Sequence, residues 1–128
     1  MGGTGVTIAL VDNAVALNWN GATVRLAAPK TGSYAGMVVI GVRDQKSHTF
    51  NASTIDLHGV VYLLQGDLTW ANTGTPTIHS KWTAWIVDGF SWSGDGTIRI
   101  NFDLQGSDIP YPGTLNVIPR TTTARLVN

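Results

Sequence analysis

Short runs in which apolar and polar residues alternate recur along the chain, most densely between Lys81 and Asp103. The run Trp85–Val87 consists of large or β-branched residues. In Phe90–Ser93 the aromatic residues alternate with serines, and in Ile98–Phe102 the apolar residues alternate with Arg and Asn. A period of two places successive side chains on opposite faces of an extended chain. The stretch therefore predicts three half-buried β-strands, with Phe90 and Trp92 on one face.

Aspartate and glycine separate these runs. Asp88-Gly89 and Gly94-Asp95-Gly96 supply residues that tolerate positive φ and tight reversals. Asp95-Gly96 between two alternating runs is a hairpin signal. The same residues suit the corner of a β-solenoid, so the turn leaves the topology open.

The rest of the chain carries the same pattern. Two continuously apolar runs, Met37–Val42 and Val60–Leu64, predict strands buried on both faces. Pro29–Ala35 predicts a loop, and the polar segment Arg43–Ala52 predicts an excursion over the surface. Further strands are predicted at Gly5–Val11, Val15–Trp19, Val24–Leu26, Ile55–Leu57, Leu68–Trp70, Thr114–Ile118 and Ala124–Val127.

No stretch predicts an amphipathic helix of ten or more residues. An alternating run, a Gly turn and a second alternating run recur in LNWNGATVRLA, IDLHGVVYLL and FSWSGDGTIRINF. Strands that repeat with small Gly, Asn or Asp corners are typical of β-solenoid coils. We expect one all-β domain over residues 1–128, a short β-solenoid resembling a right-handed β-helix. A β-sandwich or jelly roll is the alternative.

Composition narrows the function classes. The formal net charge is zero and only 12% of residues are charged, which argues against nucleic-acid binding. The chain contains no Glu, which favours turns over surface helices. It has no Cys, so it has no disulfide, thiolate metal site or thiol nucleophile. No apolar run approaches a membrane span, and the start MGGTG lacks the features of a signal peptide.

Candidate catalytic and metal-binding residues are sparse. The carboxylates at predicted turns favour bonds to the local backbone; they are Asp12, Asp67, Asp88, Asp95 and Asp108. Asp56, His58 and Asp67 come nearest to an acid–base set, but their spacing has no catalytic signature. His48, His58 and His79 follow no metal-ligand pattern. We therefore predict a protein that is not an enzyme, with no catalytic residues, no metal site and no cofactor.

The five tryptophans allow two readings. Exposed Trp faces stack on sugars, whereas Trp within an alternating strand packs in a core. Trp19, Trp70 and Trp92 alternate with small or polar residues and are predicted to lie in the core. Trp82, between Lys81 and Thr83, is predicted to be exposed. The candidate binding residues are Trp82, Tyr34 and Tyr111.

Four segments resemble the C-terminal β-rich region of TadG-like proteins, which are associated with Tad/Flp pilus assembly. They begin at Ala22, Ile55, Ala84 and Ala124, in the family's order: ATVRLAAPKTGSYAGMVVI, IDLHGVVYLLQGDLTWAN, AWIVDGFSWSGDGTIRINFD and ARLVN. The chain departs from the family in lacking its N-terminal membrane helix and the von Willebrand-type domain of some members. The loop after the Met37 strand also differs, with Val42-Arg43-Asp44 where Gln-Asp-Arg is frequent.

The resemblance implies an extracytoplasmic domain, periplasmic or at the cell surface, with a structural or adhesive role in a pilus or surface assembly. Self-association is expected from the residues themselves, because the terminal runs Gly5–Val11 and Ala124–Val127 lack the Lys or mid-strand Pro that would block edge pairing. The expected partners are proteins, or further copies of the chain joined through β edges. A carbohydrate-binding module with exposed aromatic residues is the alternative, with polysaccharide as the partner. A solenoid hydrolase or lyase is a third hypothesis, which would need convergent acids and bases on one face.

Overall fold

The computed structural model describes residues 2–11, 16–21, 23–41, 47–51, 54–71, 79–94 and 100–112. These residues contain β-strands and turns but no helix, which confirms the prediction of an all-β protein. They therefore also contain no helix long and apolar enough to cross a membrane. The strands are β1 Gly2–Gly3, β2 Ile8–Leu10, β3 Asn18–Asn20, β4 Thr23–Ala27, β5 Met37–Gly41, β6 His48–Asn51, β7 Thr54–Ala71 and β8 Thr83–Ser93.

The eight strands form one sheet in which every pair of named strands is parallel, and the sheet curls into a half-barrel. Across the sheet, the strands occupy four successive positions, each hydrogen-bonded to the next. We call these positions layers; they belong to one sheet and are not separate sheets. The first layer is β1, β2 and β3, and each of these pairs with one strand of the second layer, β4, β5 and β6. The long strand β7 forms the third layer and pairs in turn with β4, β5 and β6. β8 forms the fourth layer on β7.

Three of the strand pairs share one register, whereas the β5–β7 and β7–β8 pairings each contain a register shift. Ile8 pairs with Val39 and Val24 pairs with Ile55, which gives the same 31-residue separation as between Asn20 and Asn51. Because the pairing is parallel, the paired residues of successive layers stack above one another. A side chain that points inward in one layer therefore meets an inward side chain in the next.

The core follows from this stacking. In β4, Val24 and Leu26 point inward while Thr23 and Arg25 are exposed, as the alternation predicts. Both apolar runs predicted to be doubly buried supply core residues. The buried apolar residues are Leu10, Val24, Leu26, Ala28, Val38, Val39, Phe50, Ile55, Leu57, Val60, Val61, Leu63, Leu68, Trp70, Trp82 and Ile109.

An aromatic column crosses the layers on one side of the sheet. Trp19 pairs in register with Phe50, Phe50 with Trp70, and Trp70 with Trp92. The rings of Trp19 and Phe50 stack with centroids 4.5 Å apart, and those of Phe50 and Trp70 meet edge to face at 6.1 Å. Offset and edge-to-face contacts of this kind add to the burial of apolar area. The column starts in the first layer and reaches the fourth.

Several residues that were predicted to form turns lie inside strands instead. The predicted turn at His58-Gly59 lies inside β7, where Gly59 has a φ of 135°. A Cβ atom there would lie 2.8 Å from the Ala28 Cβ and from the Gly36 carbonyl oxygen. Glycine is therefore needed at this position both for its backbone conformation and for lack of space. Asp67 and Asp88, which were predicted to occupy separate turns, also lie within β7 and β8.

The prediction that Arg43–Ala52 runs over the surface is wrong for its second half. Residues 48–51 form β6, and both His48 and Phe50 are fully buried. The apolar partners of Phe50 come from other layers, Trp19 and Trp70. A segment of polar composition thus forms a core strand because its one aromatic residue stacks in register with residues distant in sequence.

Residues 100–112 form an irregular segment that we call the strap, which contacts the residues just before β8 and then the third and second layers. Phe102 forms an isolated antiparallel bridge with Trp82, just before β8. Further along the strap, Ile109 is buried, and its carbonyl oxygen accepts a hydrogen bond from the indole Nε1 of Trp82 at 3.2 Å. The strap therefore covers Trp82.

The strap then reaches the third and second layers. The Ser107 hydroxyl lies 2.7 Å from the Nε2 atom of His58, which belongs to β7. Asp108 forms an ion pair with Lys30, which follows β4. Gly36, with a φ of 82°, lies directly against the carbonyl oxygen of Pro110. The strap thus connects three layers. The predicted strands Thr114–Ile118 and Ala124–Val127 and the predicted turn at Asp95-Gly96 lie outside the described residues.

Candidate functional site

The fourth layer carries a pair of solvent-exposed aromatic residues. Phe90 is 49% exposed and Trp92 is 50% exposed, so the prediction that Trp92 lies in the core is wrong. The prediction is confirmed for Trp70, and Trp19 is half-buried against the core. Phe90 and Trp92 give the C-terminal end of the sheet an apolar surface.

The register explains this exposure. Phe90 pairs with Leu68 and Trp92 with Trp70, and both of these β7 residues are buried. The alternation in the sequence therefore assigns Phe90 and Trp92 to the inward face correctly. Burial additionally requires a further layer above them, and β8 is the last layer among the described strands.

The prediction for Trp82 is wrong in the opposite direction. It was predicted to be exposed, yet it is fully buried beneath the strap. Its ring meets Tyr111 with centroids 5.4 Å apart, Phe102 at 6.2 Å and His58 at 6.0 Å. Trp82 and Tyr111 thus lie together, but Trp82 offers no free face to a sugar. Tyr34 is exposed on the turn before β5 and has no ring contact with either residue.

A groove of about 310 Å³ lies beside β1, β4, the start of β7 and the residues that precede β8. Its volume suits a small ligand or a few side chains of a partner. The lining combines the glycines of β1 with charged and imidazole side chains. The lining residues are Gly2, Gly3, Thr4, Arg25, Leu26, Ala27, Asp56, His58, His79 and Ser80.

Asp56 is the buried carboxylate of this groove, and only 3% of its surface is exposed. Its two carboxylate oxygens accept the backbone N–H groups of His79, at 2.7 Å, and Ser80, at 3.0 Å. These bonds satisfy the carboxylate and fix the chain just before Trp82 and β8. Asp56 therefore anchors the entry into the fourth layer.

His58 forms the contact between the groove and the strap. The backbone N–H of Ile109 donates to the Ser107 oxygen at 3.0 Å, which leaves the Ser107 proton available for His58 Nε2. Burial lowers the pKa of His58, although the carboxylates of Asp108 and Asp56 act in the opposite direction. A lowered pKa favours the neutral ring, which can accept the Ser107 proton.

Ser107 and His58 form a hydrogen-bonded pair that connects two segments of the chain. A serine–histidine pair is activated when a third group orients the histidine. Here both oxygens of Asp56 accept backbone N–H groups, and Asp108 is held by Lys30, which lowers the pKa of Asp108 chiefly through its hydrogen bond. The pair therefore joins the strap to β7.

The structure brings together two of the three residues that came nearest to an acid–base set. Asp56 and His58 line the same groove, whereas Asp67 lies further along β7, where its carboxylate faces Gly89. Within the described ranges no group of three or more His, Cys, Asp or Glu side chains could hold a metal ion.

Sequence reasoning missed Ser107 and the Lys30–Asp108 pair. Ser107 is 49 residues from His58, and no spacing rule connects two positions that meet only because the strap runs back across the layers. The Pro and Gly residues of this stretch predict an irregular connection but not its course.

Comparisons of the chain with protein-family models, with curated proteins and with solved structures found no match.

Proposed function

We propose that the chain is a non-enzymatic structural module, built as a short β-solenoid, that associates through the ends of its sheet within an extracytoplasmic surface assembly. The observation that carries the proposal is the exposed aromatic pair Phe90 and Trp92 on the fourth layer. Exposed apolar surface at the end of a stack favours contact with a protein partner.

The parallel pairing of successive layers supports the solenoid. Each of β4, β5 and β6 has one partner in the layer before it and β7 in the layer after it. In a solenoid each coil contacts only its neighbours, so that the end coils present open edges. A β-sandwich would instead consist of two sheets packed face to face, and such sheets usually consist of antiparallel strands.

Open edges support the association. Among the described strands, β8 pairs only with β7, and β1, β2 and β3 pair only with the second layer. Natural proteins normally protect such edges with Lys, Pro or a covering element. The only charged residue of β8 is Asp88, and β1, β2 and β3 have none.

Sedimentation velocity over a range of concentrations tests this function. We expect the parent protein to associate as its concentration rises, and the double variant Phe90→Ser and Trp92→Ser to associate more weakly. The matched control is Tyr34→Ser, which removes an exposed aromatic residue away from the end of the sheet. A parent protein that stays monomeric at all concentrations would overturn the proposal.

The extracytoplasmic location and the link to pilus assembly rest on the resemblance of four segments to TadG-like proteins. Immunogold labelling of cells that express the protein, before and after permeabilisation, tests the location. Label confined to the cytoplasm would contradict it.

A carbohydrate-binding module is the second candidate, and the same aromatic pair favours it. Phe90 and Trp92 lie two residues apart on one face of β8 and are half exposed, an arrangement that can stack on sugar rings. Two results together would favour this function over the structural one. The parent protein would bind polysaccharide without associating with itself, and Trp92→Ser would lose the polysaccharide binding.

A further inference from the structure

We propose that copies of this chain stack head to tail, with the first layer of one copy placed on β8 of another. This inference rests on the proposed function and adds the partner, the polarity and the register of the contact. The partner is a second copy because the two ends of the sheet fit one another.

The direction of the strands sets the polarity. Each internal contact places a later layer on an earlier one, with the strands parallel. Each internal strand has one edge that pairs with the layer before it and an opposite edge that pairs with the layer after it. A strand added in parallel to β8 must therefore pair through the edge that faces the layer before it. The first layer has this edge available among the described strands, since β1, β2 and β3 pair only through their opposite edges. Two β8 edges facing one another would instead pair antiparallel and break the repeat.

The internal register predicts which residues meet. Trp19, Phe50, Trp70 and Trp92 occupy one column, so Trp19 of the second copy would follow Trp92 of the first. In a second column Ile8 pairs with Val39, Val39 with Val61, and Val61 with Trp85. Ile8 of the second copy would therefore lie on Trp85. Both contacts are apolar.

The edge beside the aromatic column is polar but uncharged. Asn20 of the first layer pairs with Asn51, and their side-chain amides are hydrogen-bonded at 3.2 Å. One position after Trp70 and Trp92, Ala71 pairs with Ser93 in the upper layers. Head-to-tail stacking places Asn20 of one copy beside Ser93 of the other, where an amide and a hydroxyl can form a hydrogen bond.

Cysteine cross-linking tests this arrangement, because the chain contains no Cys. The variants Asn20→Cys and Ser93→Cys change exposed residues at opposite ends of the sheet. Adjacent strands lie about 4.8 Å apart, and a disulfide joins Cα atoms about 4.4–6.8 Å apart. We expect an equal mixture of the two variants to form a disulfide-linked dimer that contains one copy of each, while each variant alone forms none.

Thr31→Cys mixed with Ser93→Cys is the matched control, since Thr31 is exposed between β4 and β5 and belongs to neither edge strand. It should give only background cross-linking. Homodimers of Ser93→Cys alone would indicate contact between two β8 edges. That result would overturn the head-to-tail arrangement while leaving the proposed function intact. No cross-linking in any mixture, together with a monomeric parent protein, would overturn both.

The chain's own residues 113–128 are the other candidate to pair with the free edge of β8. Truncation after Pro112 distinguishes them from a second copy. If the mixed dimer forms equally in the full chain and in the truncated chain, the second copy is the partner. If it forms only after truncation, the C-terminal residues occupy this edge in the full chain, and the proposal is wrong.

Discussion

Trp82 and Trp92 show that the burial of a residue in this fold depends on its layer as well as on its face. Trp82 lies before the last strand, and the strap buries it completely. Trp92 belongs to the inward column, yet half of its surface is exposed because its strand ends the described stack. The two residues should therefore contribute differently to stability.

We expect Trp82→Ala to lower the free energy of unfolding by about 3–5 kcal/mol, because it leaves a cavity beneath the strap and removes the hydrogen bond to Ile109. Trp92→Ala should cost less than half as much. Urea denaturation of both variants measures the difference. Equal losses would mean that the two residues are equally buried in solution.

A second prediction at this scale concerns His58 and pH. Its pKa is lowered by burial, with Lys81 acting in the same direction and Asp108 and Asp56 in the opposite one. Since the folded pKa lies below the unfolded value, the stabilisation from His58 is fully present above about pH 6.5. It is lost as the pH falls through the folded pKa.

Urea denaturation between about pH 7.5 and pH 5 checks this prediction. The parent protein should lose stability toward the acid end, and His58→Asn should lose less. His79→Asn is the control, because it also replaces an imidazole in the same groove. The contact of His79 with Asp56 is made by the backbone N–H, which the substitution retains. A pH dependence that is the same in the parent and in His58→Asn would contradict the prediction.

At the scale of elements, strands whose own residues alternate or are continuously apolar were predictable from the sequence. β4 and β5 lie where their patterns place them, and so do the two halves of β7 that include Ile55 and Val60. β6 could not be predicted in this way, because Phe50 is buried by rings from other layers.

The strap was equally hidden in the sequence. Its contacts with Gly36, His58 and Lys30 depend on where the chain crosses the layers. The same holds for the candidate site. Alternation predicted that Phe90 and Trp92 lie on one face, but it did not predict that their strand is the last of the described layers. Residue patterns describe a strand's faces, whereas exposure at an end depends on how many layers are present.

Gly36 tests how tightly the strap is docked. Gly36→Ala adds a Cβ that meets the Pro110 carbonyl oxygen and the Pro112 ring, and it strains a positive φ. Gly32→Ala strains a positive φ of 93° but meets no atom within 4 Å. We expect the first variant to lose about 1–3 kcal/mol more stability than the second. Equal losses in thermal or urea denaturation would show that the strap adjusts freely at this point.

At the scale of the whole molecule, the stability of this Cys-free chain should come from stacked side chains and strand pairing. We expect a chelator to leave its melting temperature unchanged, because the described residues contain no group of ligands for a metal ion. Differential scanning calorimetry with and without the chelator measures this. A fall of several degrees that zinc or calcium restores would indicate a metal site.

The path of the strap has a mechanical consequence. Without the strap, tension on the C-terminal side of the molecule would act first on β8 and peel the fourth layer away one hydrogen bond at a time. The contacts of Ser107, Asp108 and Pro110 lie instead on the third and second layers. A pull applied at Pro112 is therefore transmitted to the second and third layers, where these contacts must shear together before β8 carries any load.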